Sequence, residues 1–340
     1  MKVSLKSQLN RLFRRKQKSS SVGGFTFIEL LVVIFIAGGI LSGLLYLVVE
    51  LLGVDQREAS RNETQREMQL AMDYIATELR EAVYVYNDCY LPQGNRNDPD
   101  GDPNNPNDDY CPGLINFLPD NLTSPDNIPV VAFWKQQPIP TVLKERCASS
   151  ATPPDDIPCR TASSYALVVY SINTADSDIW KGKARITRYA LTQFQSNGTR
   201  APGYAPPEEG VSVRFDRWPI GDNDTDRRVG TPLDTSAVLV DFLDDGSGAD
   251  FIDTDETADL ASCPDDYSMV PSQEVLDAVG APDIRSFYAC VDQGQSNTNR
   301  DVILYIRGNA QGRPGISGEA SFLPTLETRV LSRGVLGRAP

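Results

Sequence analysis

Two short acidic runs carry the most recognisable chemistry in this chain of 340 residues. Asp98, Asp100 and Asp102 alternate through "DPDGD", and Asp222, Asp224 and Asp226 alternate through "DNDTD". Carboxylates at alternate positions of a turn can wrap oxygen ligands around Ca²⁺, so both runs are candidate calcium sites and no other cofactor is expected. Neither completes an EF-hand loop, whose closing bidentate glutamate would fall at Asp109 for the first run and at Leu233 for the second. The plainer reading is a solvated turn, since Asp, Asn, Pro and Gly build turns without a metal. A third group, Asp244, Asp245, Asp250, Asp253, Asp255 and Glu256, is open to the same two readings.

Histidine is absent, which removes Ser-His-Asp and Cys-His catalysis, and no nucleophile elbow, Walker A loop or dinucleotide loop occurs. A carboxylate pair can still cleave a glycosidic bond, but nothing singles out one pair among the 46 acids. No catalytic residue is expected. Six cysteines form an even set without C-x-x-C: Cys89, Cys111, Cys147, Cys159, Cys263 and Cys290. Disulfides are the natural reading if this part of the chain is exported. Their order brackets one loop per successive pair, which predicts Cys89–Cys111, Cys147–Cys159 and Cys263–Cys290 out of the connectivities open to six thiols.

A single carboxylate, Glu29, stands at the mouth of an apolar run in "GGFTFIELLVVIFIAGGILSGLLYLVVE", residues 23–50. Leu30 to Val49 carry no charge, and at helical rise they span about 30 Å, the thickness of a bilayer's hydrocarbon core. An ionisable group so close to a span is costly and calls for a partner. Residues 1–24 hold Lys2, Lys6, Arg11, Arg14, Arg15, Lys16 and Lys18 with no acid, which keeps this end cytoplasmic and sends the C-terminus outside. The far end of the run, "YLVVELLGVDQRE", offers no small-residue signal-peptidase site. Gly23-Gly24-Phe25, with two glycines of free backbone, is the alternative point of processing. Within the span, Gly39 and Gly43 form G-x-x-x-G and Gly38 adds a third glycine, readable as close helix packing or as a place where the helix loosens.

The combination of "GG", "FTFIELLVV", a basic leader and a full apolar span resembles the prepilin signature of type IV pilins and type II secretion pseudopilins, with Phe27 where leucine is commoner. The resemblance implies cleavage by a prepilin peptidase between Gly24 and Phe25, N-methylation of Phe25, and a role for Glu29 as the assembly carboxylate, paired with the new Phe25 ammonium of its own or a neighbouring subunit. Opposite charges in a low dielectric attract strongly, and either one unpaired costs several kcal/mol. The plainer alternative is a glutamate that reaches the interface of an ordinary anchor. Over "EMQLAMDYIATELREAVYVYN" and a cysteine-rich β head, the chain also resembles PilW-like and GspJ-like minor pilins and the pseudopilins that serve polysaccharide secretion and gliding motility. The implied partners are other pilins of a mixed filament, an inner-membrane platform protein, the membrane and an exported polysaccharide. The implied location is the inner membrane, single-pass with a periplasmic head, then a periplasmic or surface filament.

The elements follow from periodicity. Met68, Met72, Ile75, Leu79, Val83 and Tyr86 recur at three or four, with Glu63, Arg66, Glu67, Asp73, Glu78, Arg80 and Glu81 assigned to the other faces. The spacing predicts one helix through 25–86, with 25–54 in the membrane or filament core and 55–86 amphipathic, on an exported head of 87–340. Short runs rich in Val, Ile and Tyr predict strands at 130–134, 164–172, 183–191, 211–215, 236–243, 284–291, 301–308 and 325–332. The expected fold is α+β and type IV pilin-like, a long N-terminal helix packed on an antiparallel sheet with disulfide-closed loops, the longest being 92–128. Net charge is −14, and loss of the leader's seven cations takes it to about −21, which argues against nucleic acid as a partner. A competing reading is a carbohydrate-binding or adhesive head on the same anchor, for which Trp134, Trp180 or Trp218 would have to be exposed.

Overall fold

The computed structural model describes residues 24–87, 113–149, 154, 156–209, 212–213, 215, 218–221, 225–246, 263–293, 301–316 and 323–332. The chain falls into two compact units that divide between Asp55 and Gln56. It is an α+β protein with a long, apolar N-terminal helix and antiparallel sheets.

Helix α1 runs from Phe27 to Arg80, 54 residues. In the first unit every residue from Phe25 to Leu52 is exposed although nearly all are apolar, and the helix is long and apolar enough there to cross a membrane. In the second unit α1 buries Ser60, Thr64, Met68, Ala71, Met72, Ile75, Ala76, Glu78 and Leu79, a stripe at helical spacing. The helix stops six residues short of the expected Tyr86. Glu81 turns back to the Glu78 carbonyl, and Ala82–Val85 forms strand β1. Val83 and Tyr86 therefore do not extend the helical stripe. "AVYVY" is β-branched and aromatic at alternate positions, and pairing with a neighbouring strand satisfies those residues better than another helical turn.

Five strands form the sheet against the second half of α1, in the order β1, β2 (Asn127–Pro138), β3 (Ser163–Asn173), β4 (Ala184–Thr192) and β7 (Ala237–Leu243). All pairings are antiparallel. Both faces are covered, which is why "VVAFW" and "YALVVYSI" read as unbroken apolar runs rather than alternating ones. Phe133, Val168 and Tyr170 point toward α1. Trp134 and Tyr189 point away, into a second layer built from Tyr86, Tyr204, Phe215 and Trp218. Both indole tips of that layer are satisfied, Trp134 Nε1 donating to Tyr86 Oη at 3.0 Å and Trp218 Nε1 to the Ala205 carbonyl at 2.8 Å, whereas the Tyr189 hydroxyl meets no partner among the described residues.

A second antiparallel sheet follows, ordered β11 (Thr325–Leu331), β10 (Asp301–Arg307), β9 (Phe287–Asp292) and β8 (Tyr267–Val270). Its Phe287, Ala289, Val302, Leu304 and Ile306 join the same core. The two sheets meet where Asp244 N–H donates to the Arg307 carbonyl and Asn309 N–H donates to the Phe242 carbonyl, at 3.1 and 2.8 Å. Next to this joint, Gly308 lies so close to α1 that a Cβ would stand 2.2 Å from Met68 Sδ.

Of the expected strand 211–215, Ser212–Val213 forms β6, paired with β5 (Glu208–Glu209), and residues 211 and 214 lie outside the described residues. Short elements that match none of the expected ones include α2 (Thr141–Ser149), α3 (Gln273–Val279), β5 and β8. For α3 the signals were present, Ser272 as N-cap and Gly280 as a left-handed C-cap at φ 68°. The expected loop 92–128 lies partly outside the described residues, and its end holds two 3₁₀ turns, Leu114–Phe117 and Asp120–Leu122, before β2 begins at Asn127.

Candidate functional site

The start of α1 is capped by the chain itself. Thr26 precedes the first helical residue, its carbonyl accepts from Glu29 and Leu30 N–H at 3.0 and 3.2 Å, and its Oγ1 accepts from Glu29 N–H at 3.4 Å. Thr26 and Glu29 thus stand in the spacing of a capping box, with a carboxylate in the first turn where the helix dipole favours negative charge. "TFIE" displays this box in plain sequence. Gly24, Phe25 and Glu29 are exposed, and Phe25 is 80% accessible. At Gly24, Gly38, Gly39 and Gly43 a Cβ would meet nothing within 4 Å, so the backbone at these positions is open to a neighbour.

The densest polar cluster lies in the second unit, around a glutamate that the periodicity assigned to an outer face. Glu78 is 7% exposed and faces the sheet. Arg188 on β4 grips it bidentately, Nε to Oε2 at 2.7 Å and Nη2 to Oε1 at 2.8 Å, while Lys135 Nζ on β2 lies 2.8 Å from Oε1. The Tyr170 hydroxyl on β3 donates to Oε2. Tyr170 and Arg188 are cross-strand partners, so the sheet register itself sets this cradle. Burial alone would raise the pKa of Glu78, but hydrogen bonds from Arg188, Lys135 and Tyr170 outweigh it and hold the carboxyl at about 2. Lys135 also reaches Glu81 at 3.1 Å. Two carboxylates therefore balance two cations, which makes the cluster a clamp between helix and sheet and leaves no group poised for proton transfer.

A second clamp holds the earlier turns of this half. Arg313, 8% exposed, pairs with Glu63 at 2.8 Å and with Glu67, and its guanidinium sits 4.0 Å from the Phe242 ring centroid. Ser60 Oγ donates to the Pro314 carbonyl at 2.7 Å. Beside Arg313 a groove of about 690 Å³ runs between α1 and the edge strand β7, lined by Leu70, Tyr74, Ile179, Trp180 and Phe242 among others. Trp180 is 39% exposed, whereas Trp134 and Trp218 are fully buried. The flat tryptophan platform expected of a sugar-binding head is thus reduced to one residue.

Cys147 is bonded to Cys159 and Cys263 to Cys290, the successive pairing expected. The first ties α2 to the chain before β3, and the second ties Cys263 to β9, closing loops with sequence separations of 12 and 27. Cys89 and Cys111 lie outside the described residues, as do Asp98, Asp100, Asp102, Asp222 and Asp224. Asp226 is described: Arg228 Nη2 holds its Oδ2 at 2.7 Å, and although burial raises its pKa, hydrogen bonds from Arg228 keep it below the usual carboxylate range. Among the described residues no three acids, cysteines or histidines cluster as metal ligands.

No protein-family model matches this sequence, and neither a curated protein nor a solved structure resembles it significantly.

Proposed function

We propose that the chain is a pilin-like subunit, a minor pilin or pseudopilin of a type IV pilus-like or type II secretion-like filament. The observation that carries this reading is the division of labour along α1. Its first half exposes an uninterrupted apolar surface headed by Thr26 and Glu29, while its second half is clamped by Glu78 and Arg313 to an antiparallel head. A helix that is apolar all round needs a nonpolar medium, and a bilayer before assembly and a helical bundle after it both supply one. In this reading a prepilin peptidase cuts between Gly24 and Phe25, the new amine of Phe25 is methylated, and Glu29 pairs with such an amine to select the subunit register. The head then stands outside the inner membrane among other pilins, assembled through a platform protein, in a filament that serves polysaccharide export and gliding motility. The two disulfides support an oxidising location for it.

A carbohydrate-binding head on the same anchor is the second reading, resting on Trp180 and Tyr74 at the groove. The two are separated by intact mass and N-terminal sequencing of the membrane-extracted protein, followed by saccharide titration of the same sample. A methylated Phe25 terminus is the expected result for a filament subunit. An uncut Met1 terminus in cells with an active peptidase removes that reading, and a saccharide-dependent change in Trp180 emission would favour the other.

A further inference from the structure

Asn197 and Gly198 occupy the tip of an exposed turn between the Phe194–Arg200 bridge. Gln195 N–H donates to the Thr199 carbonyl at 2.8 Å and Gly198 N–H donates to the Gln195 carbonyl at 2.9 Å, which closes the turn with Gly198 at φ 84°. Two donors of one residue converge on the Asn197 side chain: Thr199 N–H reaches Oδ1 at 2.9 Å, and Thr199 Oγ1, which also lies 3.3 Å from Gln195 Oε1, reaches it at the shorter 2.7 Å. Among the described residues, nothing holds the Asn197 Nδ2.

This is the one Asn-Gly pair in the chain, and its chemistry is intramolecular. We infer that Asn197 is a site of spontaneous deamidation, in which the Gly198 backbone nitrogen attacks Asn197 Cγ with Thr199 polarising the carbonyl. The new N–Cγ bond forms as Cγ–Nδ2 breaks. The amide proton of Gly198 leaves with Nδ2 as ammonia, and a cyclic imide remains. Water then opens either imide bond to give aspartate or isoaspartate, with no oxidant or reductant required. Negative charge builds on Oδ1 during the attack, and donors already aimed at that oxygen stabilise it without reorganisation. Glycine at the attacking position offers no side chain to obstruct approach. The Gly198 bond to the Gln195 carbonyl is the contact that opposes the reaction, because it must open before the nitrogen can turn onto Cγ.

The two other Asn-x-Thr triplets that are described lack this arrangement. Thr64 Oγ1 donates to Ser60 O on α1, so it is turned away from Asn62, and the Asn121 amide nitrogen is held by Asp234. The product at Asn197 adds one negative charge to an acidic head, and isoaspartate also lengthens the backbone at the tip by one methylene.

The test is the rate of amide loss at residue 197 in the extracted full-length protein, held in mildly alkaline buffer and read by peptide mapping with isoaspartate-specific methylation. A synthetic peptide covering residues 193–201 serves as the reference. The expected results are conversion in the folded protein at least as fast as in the peptide, and a slowing of about tenfold or more by Thr199→Val that the peptide does not show, with Thr199→Ser restoring the rate. Slower conversion in the protein than in the peptide would overturn the inference, because the Gln195 contact would then protect the site. An unchanged rate in Thr199→Val would overturn the part assigned to the hydroxyl.

Discussion

From Phe27 to Val54, α1 carries apolar residues on every side and buries none of them, whereas from Gln56 to Arg80 it buries a stripe of them and leaves Leu70 and Tyr74 exposed at the groove. Each half has a glutamate that can be set beside the other's. Glu29 sits exposed in the first turn, where the helix dipole favours negative charge. Glu78 sits under the sheet with two cations and a phenol around it. The contrast shows how a single helix can be made for two solvents. Where none of the described residues covers it, its pattern is uniform and its charge is pushed to the end. Where a sheet covers it, a charge can stand mid-helix provided the sheet supplies every partner.

That contrast can be broken most forcefully at the clamp. Glu78→Gln strips Arg188 of its carboxylate and leaves the half-buried Lys135 with Glu81 alone, and urea unfolding of the detergent-solubilised chain should show a loss of about 3 kcal/mol. A loss below about 1 kcal/mol would mean that the cluster is solvated and the two halves are less different than their burial implies. Next in size is the paired comparison of Ile75→Ala with Leu41→Ala. Ile75 is fully buried, so its truncation should cost about 2–5 kcal/mol, while Leu41, 60% exposed, should leave the melting temperature of the head unchanged.

Acid titration probes the same clamp without mutation. The carboxyl of Glu78 falls from an ordinary 4.5 to about 2 on folding. A depressed carboxylate stabilises the native state fully above its unfolded value and loses that contribution as pH falls from about 4.5 through 2. The loss should amount to about 3 kcal/mol, and it should vanish in Glu78→Gln. Smallest is Thr26→Ala, which removes the cap of the exposed half. Helicity of the first turn should fall by the equivalent of about 1 kcal/mol in circular dichroism of a peptide spanning residues 24–54 in micelles, with no change in unfolding of the head.

Much of this arrangement was legible. Local periodicity marked the apolar span, the buried stripe from Met68 to Leu79 and five of the strands to within a residue of their ends, since side-chain spacing reports which face of an element can be buried. It failed at "AVYVY", where Val83 and Tyr86 fit a helical period while the run as a whole is apolar on both faces of a strand, and only the pairing with β2 decided between them. It failed again at Glu78, because a charged residue in an amphipathic segment is ordinarily assigned to water. The partners that reverse this assignment, Tyr170 and Arg188, lie 92 and 110 residues away in the sequence. Trp180 and Trp134 are likewise the same residue type in unlike settings, one at the rim of a groove and one at the centre of the aromatic layer behind the sheet.

Covalent neighbours alone account for the uncharged span, the basic residues ahead of it, the order of the cysteines, of which two pairs bond in succession, and the Thr26 and Glu29 spacing at the head of the helix. Tertiary structure decided which charges are buried, where α1 ends, which tryptophan stays in water and how two sheets share one core. The physical reason is that burial of a polar group is settled by partners brought together across the fold, and a local pattern holds no record of them.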